Sequence, residues 1–81
     1  MREVLRQMQL PTEGAIYEDK HTDCRIKCVD TPDIFGLSTM EAENKQIWFE
    51  NLESETKFSI FVDNFQRGYK KIAESEAELT A

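Results

Sequence analysis

Glycine, proline, cysteine and histidine are all scarce in this chain. Its 81 residues hold three glycines, two prolines, two cysteines and one histidine. Gly14, Gly36 and Gly68 are too far apart to build a glycine-rich phosphate loop. Two cysteines are too few for a disulfide scaffold. His21 falls in a polar turn, and no second histidine remains to activate a cysteine or serine nucleophile from elsewhere. Nowhere is there a run of 18 apolar residues, as a membrane-spanning helix requires. The opening stretch MREVLRQMQL is broken by Arg6, Gln7 and Gln9, unlike the uninterrupted apolar core of a signal peptide. The expectation is therefore one domain over residues 1–81, cytoplasmic and without a membrane partner. A domain this small buries only a little over half of its unfolded surface, which leaves little wall for a deep cleft. Carboxylates are plentiful, but an acid–base pair needs a cleft that drives their pKa values apart. The chain is expected to be no enzyme and to carry no cofactor or metal.

Basic residues are also missing from one stretch. Residues 1–29 hold five acids and five bases, and residues 56–81 hold four of each. In between, Asp30, Asp33, Glu41, Glu43, Glu50, Glu53 and Glu55 face only Lys45. The whole net charge of −6 thus arises in residues 30–55. A negative patch there would repel nucleic acid and attract basic surfaces; the alternative is a solvated acidic face that only aids solubility.

Periodicity suggests the elements. Met1, Val4, Leu5 and Met8 fall on one face of a short helix that Pro11 stops. GAIYED (14–19) and CRIKCVD (24–30) alternate around a polar turn and read as a hairpin with one wet face. Residues 31–44 contain Pro32 and Gly36 and show no sustained period. That is long for a connection in so small a domain, and such loops often carry function. Ile34, Phe35, Leu37 and Met40 must either fold back on the core or meet a partner. KQIWFEN (45–51) reads as a third strand, with Ile47 and Phe49 on one face and Trp48 on the other. Large aromatics on an open face often anchor interfaces; the alternative is that the N-terminal helix or the 31–44 loop covers Trp48. Phe58, Phe61, Val62, Phe65, Tyr69 and Ile72 then form one helical stripe. Ser54 is placed to cap that helix, and only Ile60 is out of phase. A competing reading makes TKFSIFV a fourth strand, because β-branched and aromatic residues favour strands. The long helix is preferred. The expected fold is α+β: a short N-terminal helix, a three-stranded antiparallel sheet, and a long C-terminal amphipathic helix packed on one sheet face.

Two local motifs invite chemistry and fail on inspection. CVDTPDIFG (28–36) resembles the Asp-x-x-Gly switch of GTPases, with Asp30 as the metal-contacting acid. That family needs glycine three residues later, where this chain has Asp33. A carboxylate there would face the phosphate. Cys24 and Cys28 lie on one extended strand, roughly 13 Å apart at strand rise. That distance is too great for one zinc ion or one disulfide, so both are expected to be small core residues.

The run IWFENLESETKFSIFVDNFQRGYKKIAESEAEL combines a strand, an acidic turn, an F-x-x-x-F-x-x-G-Y pattern and a Glu-rich tail. It resembles the C-terminal half of a family of small acidic phage-encoded anti-CRISPR proteins that inhibit the type II CRISPR effector nuclease. The resemblance implies inhibition without chemistry, in the host cytosol. Carboxylates would stand in for DNA phosphates in the groove that reads the protospacer-adjacent motif. The residues available for that role are Asp30, Asp33, Glu41, Glu43, Glu50, Glu53 and Glu55, with Trp48, Phe35 and Ile34 as apolar anchors. The expected partner is a basic nucleic-acid-binding protein, such as a CRISPR effector nuclease. Direct nucleic-acid binding is not expected, and the chain itself would be a monomer or weak dimer. Two alternatives remain open: a small structural or adaptor subunit that assembles through apolar surface, and an antitoxin-like partner of a basic toxin.

Overall fold

The structure, a computed structural model, describes residues 10–80. The helix expected from Met1, Val4, Leu5 and Met8 lies outside the described residues. The order is β1 (Ile16–Asp19), β2 (Arg25–Asp30), α1 (Thr39–Glu43), β3 (Gln46–Asn51), β4 (Lys57–Phe61), α2 (Val62–Gly68), β5 (Tyr69–Ala73) and α3 (Glu76–Thr80). The strands form one five-stranded sheet in the order β4-β3-β2-β1-β5, and every neighbouring pair is antiparallel. β1 to β4 make a meander. α2 then carries the chain back across one face, so that β5 pairs with β1 at the far edge.

The β1–β2 hairpin forms as expected, and β2 and β3 match the alternation in the sequence, but β1 does not, since Ile16 and Tyr17 are both buried. Ile26 and Cys28 of β2 and Ile47 and Phe49 of β3 are buried on one face. Arg25, Gln46 and Trp48 are exposed on the other. Val62 and Phe65 of α2, with Ile34 and Ala42, close over the apolar face and complete the core. Phe65 sits at its centre. Its ring stacks on Phe49 at 5.3 Å and on Tyr69 at 5.8 Å, and meets the edge of Tyr17 at 5.0 Å. Aromatic pairs in these geometries add roughly 0.5–1.5 kcal/mol each beyond their burial.

The expected three-stranded sheet and long C-terminal helix are both wrong. The stripe from Phe58 to Ile72 is divided among β4, the seven-residue α2 and β5. Phe58 and Ile60 stand opposite Phe49 and Ile47 on the core face, so residues of strand-favouring type are spent on the sheet. Phe61, on the helical stripe in the sequence, points to the open face and is 44% exposed. Ser54 caps no helix: it lies in the β3–β4 turn, where its hydroxyl accepts from Thr56 N at 3.4 Å and the Asn51 side chain accepts from the amides of Glu53 and Ser54 at 2.8 and 3.1 Å. Gly68 is not inside a helix but at its last position, with its carbonyl accepting from Lys20 N at 2.8 Å. The aromatic-Gly-aromatic helix on which the anti-CRISPR resemblance rested is therefore a short helix followed by a strand.

Candidate functional site

Residues 31–45 join the end of β2 to the start of β3 at one end of the sheet. The segment is better ordered by its own chemistry than its lack of period suggests. Asp33 Oδ1 accepts from Phe35 N at 3.0 Å, and Leu37 N donates to Ile34 O at 3.1 Å. Gly36 has φ +83°, the left-handed value that the third residue of a type II turn needs. This turn sends Ile34 inward and Phe35 outward, at 7% and 83% exposure. Ser38 then opens α1 with a capping box. Its hydroxyl accepts from Glu41 N at 3.2 Å, and its own N–H donates to Glu41 Oε1 at 3.0 Å. Those bonds, with the charge of Lys45, hold the Glu41 carboxyl below its ordinary value. Ala42 is buried beneath the helix, while Met40 stands out at 73% exposure.

The seven carboxylates of residues 30–55 do not share a face. Asp30, Asp33 and Glu41 are exposed and Glu43 half-buried, all at the loop-and-α1 end. Among the described residues no salt bridge engages any of these four. Glu53 and Glu55 lie in the turn after β3, roughly 17 Å away along the strand at ordinary rise. Glu50 sits between them on the open face, flanked across the sheet by Lys27 and Lys57. Its carboxylate is 3.9 Å from Lys27 Nζ. Lys27 is shared with Glu76 of α3 at 3.0 Å, a bond that raises its pKa. The same face holds Glu18, 3.5 Å from Arg25 and 3.9 Å from Lys70. The middle of the open face is thus a lattice of paired charges rather than an acidic patch.

The apolar anchors divide as well. Phe35 is the most exposed large apolar side chain among the described residues, whereas Ile34 belongs to the core. Trp48 lies on the open face at 46% exposure, one strand in from Phe61 and diagonal to it. Phe61 was not among the residues expected at a site, and Met40 was expected only to fold back on the core or meet a partner. Strand alternation, had β4 been read as a strand, would have exposed Phe61. Both cysteines are free. Burial, with Glu13 and Asp30 nearby, pushes the Cys28 thiol up to about 11, and Cys24 Sγ accepts from Asn51 Nδ2 at 3.4 Å. A cavity of about 620 Å³ borders Leu10, Tyr17, Phe65, Tyr69 and Lys71, and it gathers none of the expected site residues. Among the described residues no group of three or more His, Cys, Asp or Glu side chains is placed to hold a metal ion. Comparison with protein-family models, curated proteins and solved structures finds no match to this chain.

Proposed function

We propose that this chain is a small non-enzymatic inhibitor that docks on a basic, nucleic-acid-reading surface of another protein through its loop-and-α1 end. The observation that supports the reading is the pairing of Phe35 and Met40, both exposed, with the carboxylates of Asp30, Asp33, Glu41 and Glu43, which no described salt bridge engages. Apolar side chains beside unpaired charge of one sign suit a surface that is steered by charge and held by burial. Glu50, Glu53 and Glu55 fall outside this surface, one because Lys27 answers it and two because they sit at the opposite end. A type II CRISPR effector nuclease is one member of the partner class. The second reading, a subunit that assembles through apolar surface, is favoured by Trp48 and Phe61 on the open face.

A competition assay tests the first reading. Labelled duplex DNA is bound to each of several basic DNA-binding proteins, the type II nuclease among them, and this chain is titrated in. Displacement from at least one is expected, weakening steeply between about 0.1 and 0.5 M salt. Reversal of Asp30, Asp33 and Glu43 to lysine should abolish it. Reversal of Glu53 and Glu55 should leave it nearly intact. Equal loss from both sets, or displacement from none of the proteins, would remove the proposed face.

A further inference from the structure

The two edges of the sheet are guarded unequally. β5 carries Lys70 and Lys71, its register with β1 is broken by an irregularity beside Ile16 and Tyr17, and α3 follows it directly. Edge lysines and bulges are the usual means of preventing strand addition. β4, KFSIF, pairs with β3 in unbroken register from Lys57 to Phe61, and its one charge is Lys57. Asn51 N donates to Thr56 O and Val62 N to Lys45 O, both at 2.9 Å. Residues 56, 58, 60 and 62 therefore turn their main-chain groups toward β3, by the alternation of antiparallel ladders. The N–H groups of Lys57, Ser59 and Phe61 turn outward, as do the carbonyls of Lys57 and Ser59. Among the described residues nothing pairs with them.

We infer that the outer edge of β4 takes a second copy of this chain, paired antiparallel about a two-fold axis at Ser59. The register follows from what faces outward. Centred on Ser59, the pairing sets serine against serine and Lys57 against Phe61 of the second copy, at both ends. An ammonium against an aromatic ring is favourable, and no like charges are directly opposed. The same operation centred on Lys71 of β5 would oppose two lysines. The pairing supplies about four main-chain hydrogen bonds from the outward groups. It also brings the exposed Phe61 of each copy over the partner strand, on the face that carries Trp48. The nearest acids, Glu55 and Asp63, lie four residues from the axis, roughly 13 Å at strand rise, so charge opposes the contact only weakly at physiological salt. An isologous contact of this kind closes on itself and forms a dimer, not a filament. It uses neither the loop nor α1, and so stands or falls independently of the inhibitor reading.

Sedimentation equilibrium up to about 1 mM protein tests it, since an edge contact this small belongs with weak interfaces. The wild-type chain should associate reversibly to a dimer. Ser59→Lys opposes two ammonium groups on the axis and should weaken association about tenfold or more. Ser59→Glu should do the same with two carboxylates. The side chain at 59 faces the open side, so both variants should keep the wild-type far-ultraviolet spectrum. An equimolar mixture of the two should associate at least as tightly as wild type, because only this register opposes position 59 to itself. A wild-type chain that stays monomeric throughout, a Ser59→Lys chain that dimerises unchanged, or a mixture no tighter than its components would each overturn the inference.

Discussion

The loop-and-α1 end and the β3–β4 ribbon are both acidic in sequence, yet they handle their acids in different ways. At the loop end, Asp33 and Glu41 spend their carboxylates on the local backbone, capping Phe35 N and Ser38 N. At the ribbon, Glu50 spends its charge on a lysine brought from another strand. The first solution is written within three residues of sequence. The second exists only once β2 and β3 are paired. Local capping leaves the charge facing solvent and open to a partner, whereas cross-strand pairing cancels it. A run of acids in sequence is therefore not yet an acidic surface.

The sharpest separation between the two regions should come from their aromatics. Phe49 is fully buried, between Phe58 at 6.1 Å and Phe65 at 5.3 Å. Phe49→Ala should cost about 3–5 kcal/mol in urea denaturation, by lost transfer energy plus the cavity left behind. Phe35 touches solvent on most of its surface, and Phe35→Ala should change stability by less than about 0.5 kcal/mol. Comparable losses from the two would mean that the loop turn packs Phe35 and does not display it.

The carboxylates give a smaller contrast. Glu50→Gln should cost roughly 0.5 kcal/mol at low salt, the ordinary worth of a partly exposed pair. The difference from wild type should fade in 1 M NaCl. Glu43 has no described cation partner, so Glu43→Gln should be neutral or slightly stabilising and should show no such fading. If Glu43→Gln lost as much as Glu50→Gln, the division of the acidic segment into answered and unanswered halves would be mistaken.

Much of the ribbon was legible because its signals are local. Period-two alternation put Ile47 and Phe49 inside and Trp48 outside, and a polar turn marked the β1–β2 hairpin. The last third was not, for two physical reasons. Its six bulky residues satisfy a helical period by coincidence, and the strand signal of TKFSIFV, its β-branched and aromatic residues and the out-of-phase Ile60, was the weaker of the two. α2 also begins at Val62, after Phe61 at the N-cap position with no side-chain cap, so nothing in the sequence marks where strand becomes helix. β5 is held by pairing with β1, some fifty positions earlier, and a short strand of that kind has little pattern of its own. The candidate site was legible in part for the same reason. The acids of the loop were visible as acids, but Glu50 lost its place to lysines at positions 27 and 57, which only the register brings alongside.

The smallest expected effect is also the one that isolates local capping from cross-strand pairing. Glu41 has a folded-state pKa below its unfolded value, first because the Ser38 N–H donates to its carboxylate and then because the Ser38 side chain and Lys45 act on it. A lowered folded pKa means that the unfolded chain binds the proton more tightly. The stabilisation is then fully present above the unfolded carboxyl pKa and is lost as pH falls through the lower folded value. Glutamine at this position keeps an oxygen to accept from Ser38 N but has no proton to bind. Glu41→Gln should therefore melt slightly below wild type at pH 7, and the gap should close as pH falls through the acid range. Added salt should shrink that gap far less than it shrinks the Glu50 difference, because a direct hydrogen bond is less open to screening than a 3.9 Å ion pair. A gap that persists unchanged to pH 2 would mean that the carboxylate's charge plays no part in holding α1, and that the two regions differ in geometry alone.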